Sequence, residues 1–309
     1  MLNAQKNRKR VHLPDLKRCW QLWVLLLPSL IWLILFCYAP MGGLVIAFKD
    51  FKPKLGIWGS PWAGFKYFER FFSTKIATNT IINTLRLSIS SLLWGFPVPI
   101  IMALMVNQIK RSGVKRFIQT AIYAPYFVSN VVVVGVLSVI LNPTTGFVNH
   151  LLDSIGIGSR MFMARPEYFT PVYVVSGIWQ TAGYNAIIYL AALTAISPDL
   201  YEAAAIDGAT KLQCIWHIEI PAILPTVVIM FIMSAGRMLT IGYEKVYLMQ
   251  TNMNLAASEV ISTYVYKVGI QSAQYSFATA VGVFNSVANL IVLFLANTMA
   301  KRITGNGLF

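Results

Sequence analysis

The sequence has few charged residues, and acidic residues are the scarcest of them. Only 12% of its 309 residues are charged, and 11 Asp and Glu residues stand against 25 Lys and Arg. The hydrophobic share is 57% and the mean hydropathy is +0.63, whereas soluble domains are about 45–50% apolar. This composition argues against an ordinary soluble domain.

Cysteine and histidine are also scarce, and neither type is clustered. Cys19, Cys37 and Cys214 are far apart and form no C-x-x-C pair, so neither a disulfide framework nor a zinc site is supported. The histidines are equally scattered, and no H-E-x-x-H or G-x-S-x-G pattern occurs. We therefore expect no catalytic residues and no metal site, and we predict that the chain is not an enzyme.

Long apolar runs dominate what is present. A helix needs about 20 apolar residues to cross about 30 Å of hydrocarbon, and the alternating pattern of a transmembrane barrel does not occur. The sequence therefore predicts an all-α polytopic membrane protein with about six transmembrane helices. The predicted spans are residues 20–39, 79–107, 117–141, 169–195, 221–248 and 277–300.

The charged residues between these runs suggest an organisation and an orientation. We expect a basic segment at 1–19, one membrane domain at 20–300 and a tail at 301–309. The first apolar run is too long for a signal peptide and has no A-x-A cleavage site, so we predict a retained helix. Dense basic clusters in 1–19 and 110–116 flank their spans closely, which favours cytoplasmic N- and C-termini.

The formal net charge of +14 does not indicate nucleic acid, because the basic residues are dispersed around the spans without a basic, aromatic-rich face. Anionic lipid headgroups suit this distribution better. The loop at 49–75 combines basic residues with aromatic side chains, among them Trp58, Trp62, Phe65, Tyr67, Phe71 and Phe72. It suits either interfacial anchoring or contact with an acidic ligand or partner.

The polar stretch between the fourth and fifth predicted spans has clear local signals. Ser197 suits an N-cap, Pro198 a first helical position, and Gly208 a left-handed C-terminal residue. Thr210 and Gln213 have the spacing of a capping box. The pattern predicts helix, turn, helix, with Pro221 ending or bending the second helix as the next span begins.

The same stretch reads E-A-A from Glu202, then three residues, Gly208, nine residues and I-x-I-P ending at Pro221. This resembles the E-A-A loop of permease subunits in ATP-binding-cassette (ABC) importers. The resemblance implies a type I importer permease fold, in which residues 197–221 form a coupling loop on the cytoplasmic side. The residues expected to dock an ATPase subunit are Glu202, Ala203, Ala204, Asp207, Gly208 and Ala209.

The resemblance also implies the partners. They are a second homologous permease, two ATP-binding subunits and a periplasmic solute-binding protein, in the bacterial cytoplasmic (inner) membrane. No G-x-x-x-x-G-K-[ST] motif occurs in this chain, so ATP and Mg would bind in the ATPase subunits, and we expect no cofactor here.

Three further stretches narrow the resemblance to oligosaccharide-importer permeases: Ile206–Ile218, Ile261–Tyr266 and Gln274–Ala280. Among these permeases the chain is most similar to the first permease subunit of bacterial alginate importers. That similarity covers nearly the whole chain and implies an acidic oligo- or polysaccharide as cargo. A neutral oligosaccharide is the alternative.

Polar residues within the predicted spans are candidates for lining a substrate pathway, because polar groups inside a membrane are costly. In the second span, polar residues recur at helical spacing on one face: Asn79, Asn83, Arg86 and Ser90. Arg237 and Glu244, seven apart, are expected to share a face of the fifth span. Interhelical hydrogen bonding is the competing role for each residue. The candidates are Asn83, Arg86, Trp179, Gln180, Tyr184, Asn185, Tyr189, Arg237, Glu244, Asn285 and Asn289.

Two other functional classes compete with an ABC permease. A secondary transporter would share the spans and the intramembrane charges, but it would need neither a coupling loop nor ATPase subunits. A membrane enzyme acting on lipid-linked glycans would need an acid, base or metal cluster near the interface. The nearest carboxylates outside the membrane, Asp153 and Glu167, form no motif.

Overall fold

The computed structural model describes residues 20–305 and residue 307, so the predicted basic segment at 1–19 lies outside the described residues. Apart from one isolated bridge between Lys49 and Trp62, this part of the chain contains no β-structure. The α-helices are α1 (Trp20–Leu33), α2 (Gly56–Gly59), α3 (Lys66–Phe72), α4 (Lys75–Gly95), α5 (Pro97–Asn107), α6 (Ser112–Tyr123), α7 (Asn130–Ile140), α8 (Phe147–Ser154), α9 (Pro166–Thr194), α10 (Pro198–Ile206), α11 (Lys211–Cys214), α12 (Ile220–Gly236), α13 (Tyr243–Met249), α14 (Leu255–Ser258), α15 (Ile261–Tyr266) and α16 (Tyr275–Thr304).

Shorter turns extend several of these helices. Ala39–Phe48 and Ala124–Phe127 are 3₁₀ helices, and Ile34–Tyr38, Ile215–Glu219 and Lys267–Gln271 are π turns. Within the described residues, four helical segments are long and apolar enough to cross a membrane: Trp20–Phe48, Lys75–Asn107, Lys211–Gly236 and Tyr275–Arg302. The predicted all-α membrane class is confirmed.

The third predicted span, 117–141, is not one straight helix. The chain bends by 97° between the helical segment Ser112–Phe127 and α7. Val128 and Ser129 are extended at the bend, and the Ser129 hydroxyl caps α7 by accepting a hydrogen bond from the Val132 N–H. The apolar run hides this break, because a single serine cap within it does not interrupt the hydropathy.

The fifth predicted span, 221–248, is also wrong at its C-terminal end. Helix α12 stops at Gly236, residues 237–242 are not helical, and α13 begins at Tyr243. Asn289 of α16 holds this break: its Oδ1 accepts from the Leu239 N–H at 2.9 Å, and its Nδ2 donates to Thr240 Oγ1 at 2.9 Å. Arg237 and Glu244 therefore do not share a helical face.

Helix α9, the fourth predicted span, is the centre of the bundle. It contains 29 residues, which corresponds to a length of about 44 Å, and it packs against α4, α5, α6 and α12. Its contact with α6 requires glycine, because a Cβ at Gly183 would lie 2.0 Å from the Ile122 carbonyl oxygen. Close packing at this point fixes the orientation of α9 relative to α6.

Candidate functional site

The coupling loop has the predicted local structure. Ser197 caps α10, with its Oγ accepting a hydrogen bond from the Asp199 N–H at 3.3 Å. Gly208 follows the helix with φ of 73°, a backbone conformation that side chains other than glycine rarely adopt. Thr210 and Gln213 then form the predicted capping box of α11. Helix, turn, helix is confirmed.

Pro221 does not end the second helix, so that part of the sequence expectation is wrong. The helix runs from Lys211 to Gly236, with the π turn Ile215–Glu219 immediately before the proline. In this turn the Ile220 N–H donates to the Ile215 carbonyl. A π turn holds one residue more than an α-helical turn, so it rotates the residues that follow it by about 100° relative to a regular helix.

The predicted docking residues lie at the surface of the coupling loop. Glu202, Ala203, Asp207 and Gly208 are exposed, and Ala204 and Ala209 are half-buried. Four large apolar side chains of the same loop also lie at the surface, and the three most exposed are Ile206, Leu212 and Trp216, at 87%, 69% and 66%. These three are missing from the predicted docking set. Their signal in the sequence was an apolar residue within an otherwise polar loop.

Beneath this surface, one buried carboxylate joins the coupling loop to the bundle. Glu219, at the end of the π turn, is only 1% exposed. Its Oε1 accepts hydrogen bonds from Asn107 Nδ2 and Gln108 Nε2, both at 2.9 Å, and from the Tyr201 hydroxyl at 3.2 Å. Burial, then the Glu219 charge and hydrogen bond, raise the pKa of Tyr201 to about 12. Glu219 was also missed, although it is the charged residue within I-x-I-P.

A cavity of about 500 Å³ lies between α4, α5, α9 and α12, and the non-helical segment 237–242 closes one side. Four of the predicted pathway residues line it: Gln180, Asn185, Tyr189 and Arg237. Gln180 is fixed in place, because its Nε2 donates to the Val128 carbonyl at 2.9 Å. The break in the fifth span thus brings Arg237 to the cavity through a turn.

The cavity also contains a cation that the sequence pattern does not single out. Lys245 of α13 lines it and is 6% exposed, and its Nζ has no hydrogen-bond partner in the part of the chain that the structure describes. The ammonium lies 5.1 Å from the ring centroid of Tyr173. No Asp or Glu is among the described residues that line the cavity. Lys245 was missed because it stands at the end of a predicted span.

Glu244 lies beside the cavity and has a defined partner. Its Oε2 accepts a hydrogen bond of 2.6 Å from Nδ2 of Asn130, and Asn130 itself lines the cavity. The carboxylate of Glu244 is exposed. Glu244 is the acidic residue nearest to Arg237 and Lys245 in sequence, and its carboxylate is already hydrogen-bonded to the Asn130 amide of α7.

Three of the remaining candidates occupy other places. Asn83 is buried, and its amide donates to the carbonyls of Ala256 and Glu259 at 2.9 and 3.0 Å. Arg86 is exposed on α4, and Trp179 lines a separate apolar groove between α7 and α9.

Tyr184, Asn285 and Asn289 also lie outside the lining of the cavity. The Tyr184 ring stacks on Tyr126 with the centroids 3.8 Å apart. Asn285 Nδ2 donates to the Leu239 carbonyl at 3.4 Å, so it joins Asn289 in holding the broken segment. The two asparagines thus support segment 237–242, which lines the cavity.

A second polar cluster lies at the opposite end of the bundle from the coupling loop. Asp50 accepts hydrogen bonds from the Tyr67 hydroxyl and from Lys66 Nζ, which is 3.1 Å away. The Tyr67 hydrogen bond, then the Lys66 hydrogen bond, lower the pKa of Asp50. The Ser276 hydroxyl donates to the Lys49 carbonyl at 2.6 Å, which ties this loop to α16.

Sequence comparison identifies relatives along nearly the whole chain. The family described as "Binding-protein-dependent transport system inner membrane component" matches residues 95–305. Protein LplB of Bacillus subtilis (strain 168) is 42% identical over 294 residues, covering 95% of this chain and 92% of LplB. The polygalacturonan/rhamnogalacturonan transport system permease protein YteP of the same organism is 41% identical over 305 residues, covering 99% of this chain and 95% of YteP.

Two solved structures are similar in both sequence and fold. A chain of a bacterial ABC transporter involved in the import of the acidic polysaccharide alginate is 43% identical, with a TM-score of 0.86 over 94% of this chain and 98% of that chain. A chain of a bacterial alginate ABC transporter in complex with an alginate pentasaccharide-bound periplasmic protein is 42% identical, with a TM-score of 0.87 over 96% of this chain and 99% of that chain.

Proposed function

The chain belongs to the family of binding-protein-dependent transport system inner membrane components and is a permease of an ABC sugar importer, and from this premise we propose that its cargo is an acidic oligosaccharide. The cargo carries uronate carboxylates and moves from the periplasm to the cytoplasm. Alginate oligosaccharides are the specific candidates.

The observation that carries this proposal is the unpaired ammonium of Lys245 at the cavity. Burying an ion without a counter-ion costs several kcal/mol, and the ring of Tyr173 offsets only part of that cost. A cargo carboxylate entering the cavity would supply the missing partner. Arg237, at the same cavity, would add a second attraction, whereas a neutral sugar would leave the buried charge uncompensated.

The relatives support the same cargo class. The transporters of the two similar structures are an importer of "the acidic polysaccharide alginate" and an alginate transporter crystallised with an alginate pentasaccharide on its periplasmic protein. Among the sequence relatives, one is named as a galactooligosaccharide permease, at 26% identity over 73% of this chain. The two alginate transporter chains match 94% and 96% of this chain, a larger share than the galactooligosaccharide relative matches.

The partners and the orientation belong to the same proposal. The exposed apolar side chains of Ile206, Leu212 and Trp216 lie in the same loop as Glu202. They suit docking of an ATPase subunit, which would bury them on the cytoplasmic side. A homologous second permease would complete the pathway, because one permease supplies only half of it. A periplasmic binding protein would deliver cargo at the end marked by Asp50, and both chain termini would be cytoplasmic.

The physical mechanism is a biased conformational equilibrium. ATP binding closes the ATPase subunits, the docked coupling loop moves with them, and the bundle opens the cavity outward. Cargo then enters from the binding protein, with carboxylates facing Lys245 and Arg237. Hydrolysis releases the ATPase subunits and returns the cavity to the cytoplasmic side.

The test is uptake by the complete complex in proteoliposomes, with binding protein outside and ATP inside. The proposal predicts ATP-dependent accumulation of an alginate oligosaccharide and much weaker accumulation of a neutral oligosaccharide of the same length. Accumulation of the neutral sugar alone would refute the acidic cargo and keep the permease function. Uptake that persists without ATP would instead favour a secondary transporter.

A further inference from the structure

The hydrogen bonds of Glu219 connect three separate parts of the chain through one oxygen atom. Tyr201 belongs to α10 of the coupling loop, Asn107 and Gln108 belong to the end of the second span, and Glu219 itself belongs to the start of the fifth span. These donors are 18, 112 and 111 residues away in sequence. The arrangement is therefore tertiary and depends on how the three elements are placed.

Burial makes these bonds strong. Glu219 is 1% exposed, so water does not compete for its oxygen, and a buried hydrogen bond to a charged group contributes more than one between neutral groups. Loss of a donor would leave part of a buried carboxylate unsatisfied, which is costly. Movement of any one element away from the other two therefore carries a penalty.

The backbone shows why the carboxylate reaches this point. The π turn Ile215–Glu219 places one extra residue in the helix just before Pro221. In a regular helix, the residues after the turn would face a direction about 100° away from their present one. The π turn thus coincides with the inward position of Glu219, and π turns are frequent at functional sites.

We propose that Glu219 is a positioning residue that clamps α10 to the ends of the second and fifth spans, so that all three move as one body when an ATPase subunit moves the coupling loop. This inference rests on the proposed function, because it assumes that the loop docks an ATPase. The Glu219 clamp, defined as Glu219, Tyr201, Asn107 and Gln108, converts a movement at the surface into a movement of two membrane helices.

The second oxygen of Glu219 fits this role. Oε2 is buried, and residues 20–305 and 307 provide it with no hydrogen-bond partner. It is therefore a free acceptor next to three donors, available when the elements shift by a small amount. The clamp can exchange donors between its two oxygens and remain closed through the transport cycle.

Tyr201→Phe and Glu219→Gln test the clamp in the complete complex. Tyr201→Phe removes only the hydroxyl donor from α10, and Glu219→Gln keeps an acceptor oxygen but removes the charge. The matched control is Tyr168→Phe, which also removes one tyrosine hydroxyl. This hydroxyl accepts a hydrogen bond from Arg160 at 3.2 Å, and it lies at the opposite end of α9 from the coupling loop.

The first readout is transport per ATP hydrolysed, measured with whichever oligosaccharide stimulates the wild-type complex. We expect both clamp variants to assemble and to hydrolyse ATP at the basal rate. Transport per ATP should fall about tenfold, because the loss of one hydrogen bond to a charged group shifts an equilibrium by about that factor. Tyr168→Phe should match the wild type. Wild-type transport per ATP in both clamp variants would overturn the proposal.

The second readout needs no cargo and separates the clamp from the proposed function. Spin labels at Ala205→Cys and Lys110→Cys, both exposed positions, report the distance between α10 and the end of the second span in a cysteine-free background. The clamp predicts one narrow distance, unchanged by ATP, in the wild type, and an ATP-dependent or broadened distance in Tyr201→Phe and Glu219→Gln. Identical distributions in all three would overturn it, whatever the cargo proves to be.

Discussion

Replacing Lys245 by methionine removes a buried ammonium and keeps a flexible side chain of similar length. The structure predicts that this change stabilises the protein and weakens the binding of an acidic cargo. An unpaired buried charge costs several kcal/mol, and the cation–π contact with Tyr173 returns about 0.5–2 kcal/mol. We therefore expect Lys245→Met to raise the free energy of unfolding by about 1–3 kcal/mol.

For an acidic cargo the same change is unfavourable. A carboxylate about 4 Å from an ammonium interacts by about 4 kcal/mol at an effective dielectric constant of about 20. Lys245 is already buried, so binding must desolvate only the cargo carboxylate, and the net is about 1.5–3 kcal/mol for a hydrogen bond to a charged group. Uptake of an alginate oligosaccharide at low concentration should therefore fall about 10- to 150-fold.

Lys267→Met provides the matched control. Lys267 Nζ lies 2.8 Å from Glu259 Oε2, in a pair whose side chains are 27% and 16% exposed, and it does not line the cavity. Breaking this partly exposed pair should lower the free energy of unfolding by about 1–2 kcal/mol and leave the cargo preference unchanged. The assays are thermal unfolding of the purified complex and uptake in proteoliposomes. The reasoning fails if Lys245→Met lowers stability as Lys267→Met does, or transports the acidic cargo like the wild type.

Three other changes test separate parts of the account. Glu202→Lys should abolish substrate-stimulated ATP hydrolysis or weaken co-purification of the ATPase subunit, because it reverses an exposed charge in the docking surface; wild-type behaviour in both assays would remove the docking role. Arg237→Gln should reduce uptake of the acidic cargo with normal expression and ATPase coupling, and unchanged uptake would exclude Arg237 from the pathway. The pKa of Asp50 is lowered in the folded state from 3.8, so its stabilisation is present at higher pH and is lost as the pH falls through its folded pKa. Asp50→Asn should therefore flatten the decline in melting temperature below about pH 4, and a decline as steep as that of the wild type would contradict this assignment.

The parts of the fold that were predictable from the sequence depend on local signals. Apolar runs marked the spans, and Ser197, Gly208 and Thr210 each act within a few residues of their own position in the chain. The caps and the left-handed turn of the coupling loop follow from these residues wherever the loop lies in space. Such features can be read from the sequence because their energetics need no distant partner.

The features that were missed depend on distant partners. The end of α12 is held by Asn289, about 50 residues away, so the apolar run before it carries no sign of the break. Glu219 joins separate elements because it accepts hydrogen bonds from Asn107 and Gln108 of another span. Lys245 is notable only because the fold buries it at the wall of a cavity. None of these relations is encoded in periodicity or composition.

The central claim, an ABC permease for an acidic oligosaccharide, is tested most directly by ATP hydrolysis in the complete complex. The complex is reconstituted with its ATPase subunits, partner permease and binding protein, and hydrolysis is measured with and without an alginate oligosaccharide. The account predicts stimulation that requires both the oligosaccharide and the binding protein and that is lost in Glu202→Lys. Stimulation by a neutral oligosaccharide and not by alginate would contradict the acidic cargo, and hydrolysis that no cargo stimulates would contradict the account as a whole.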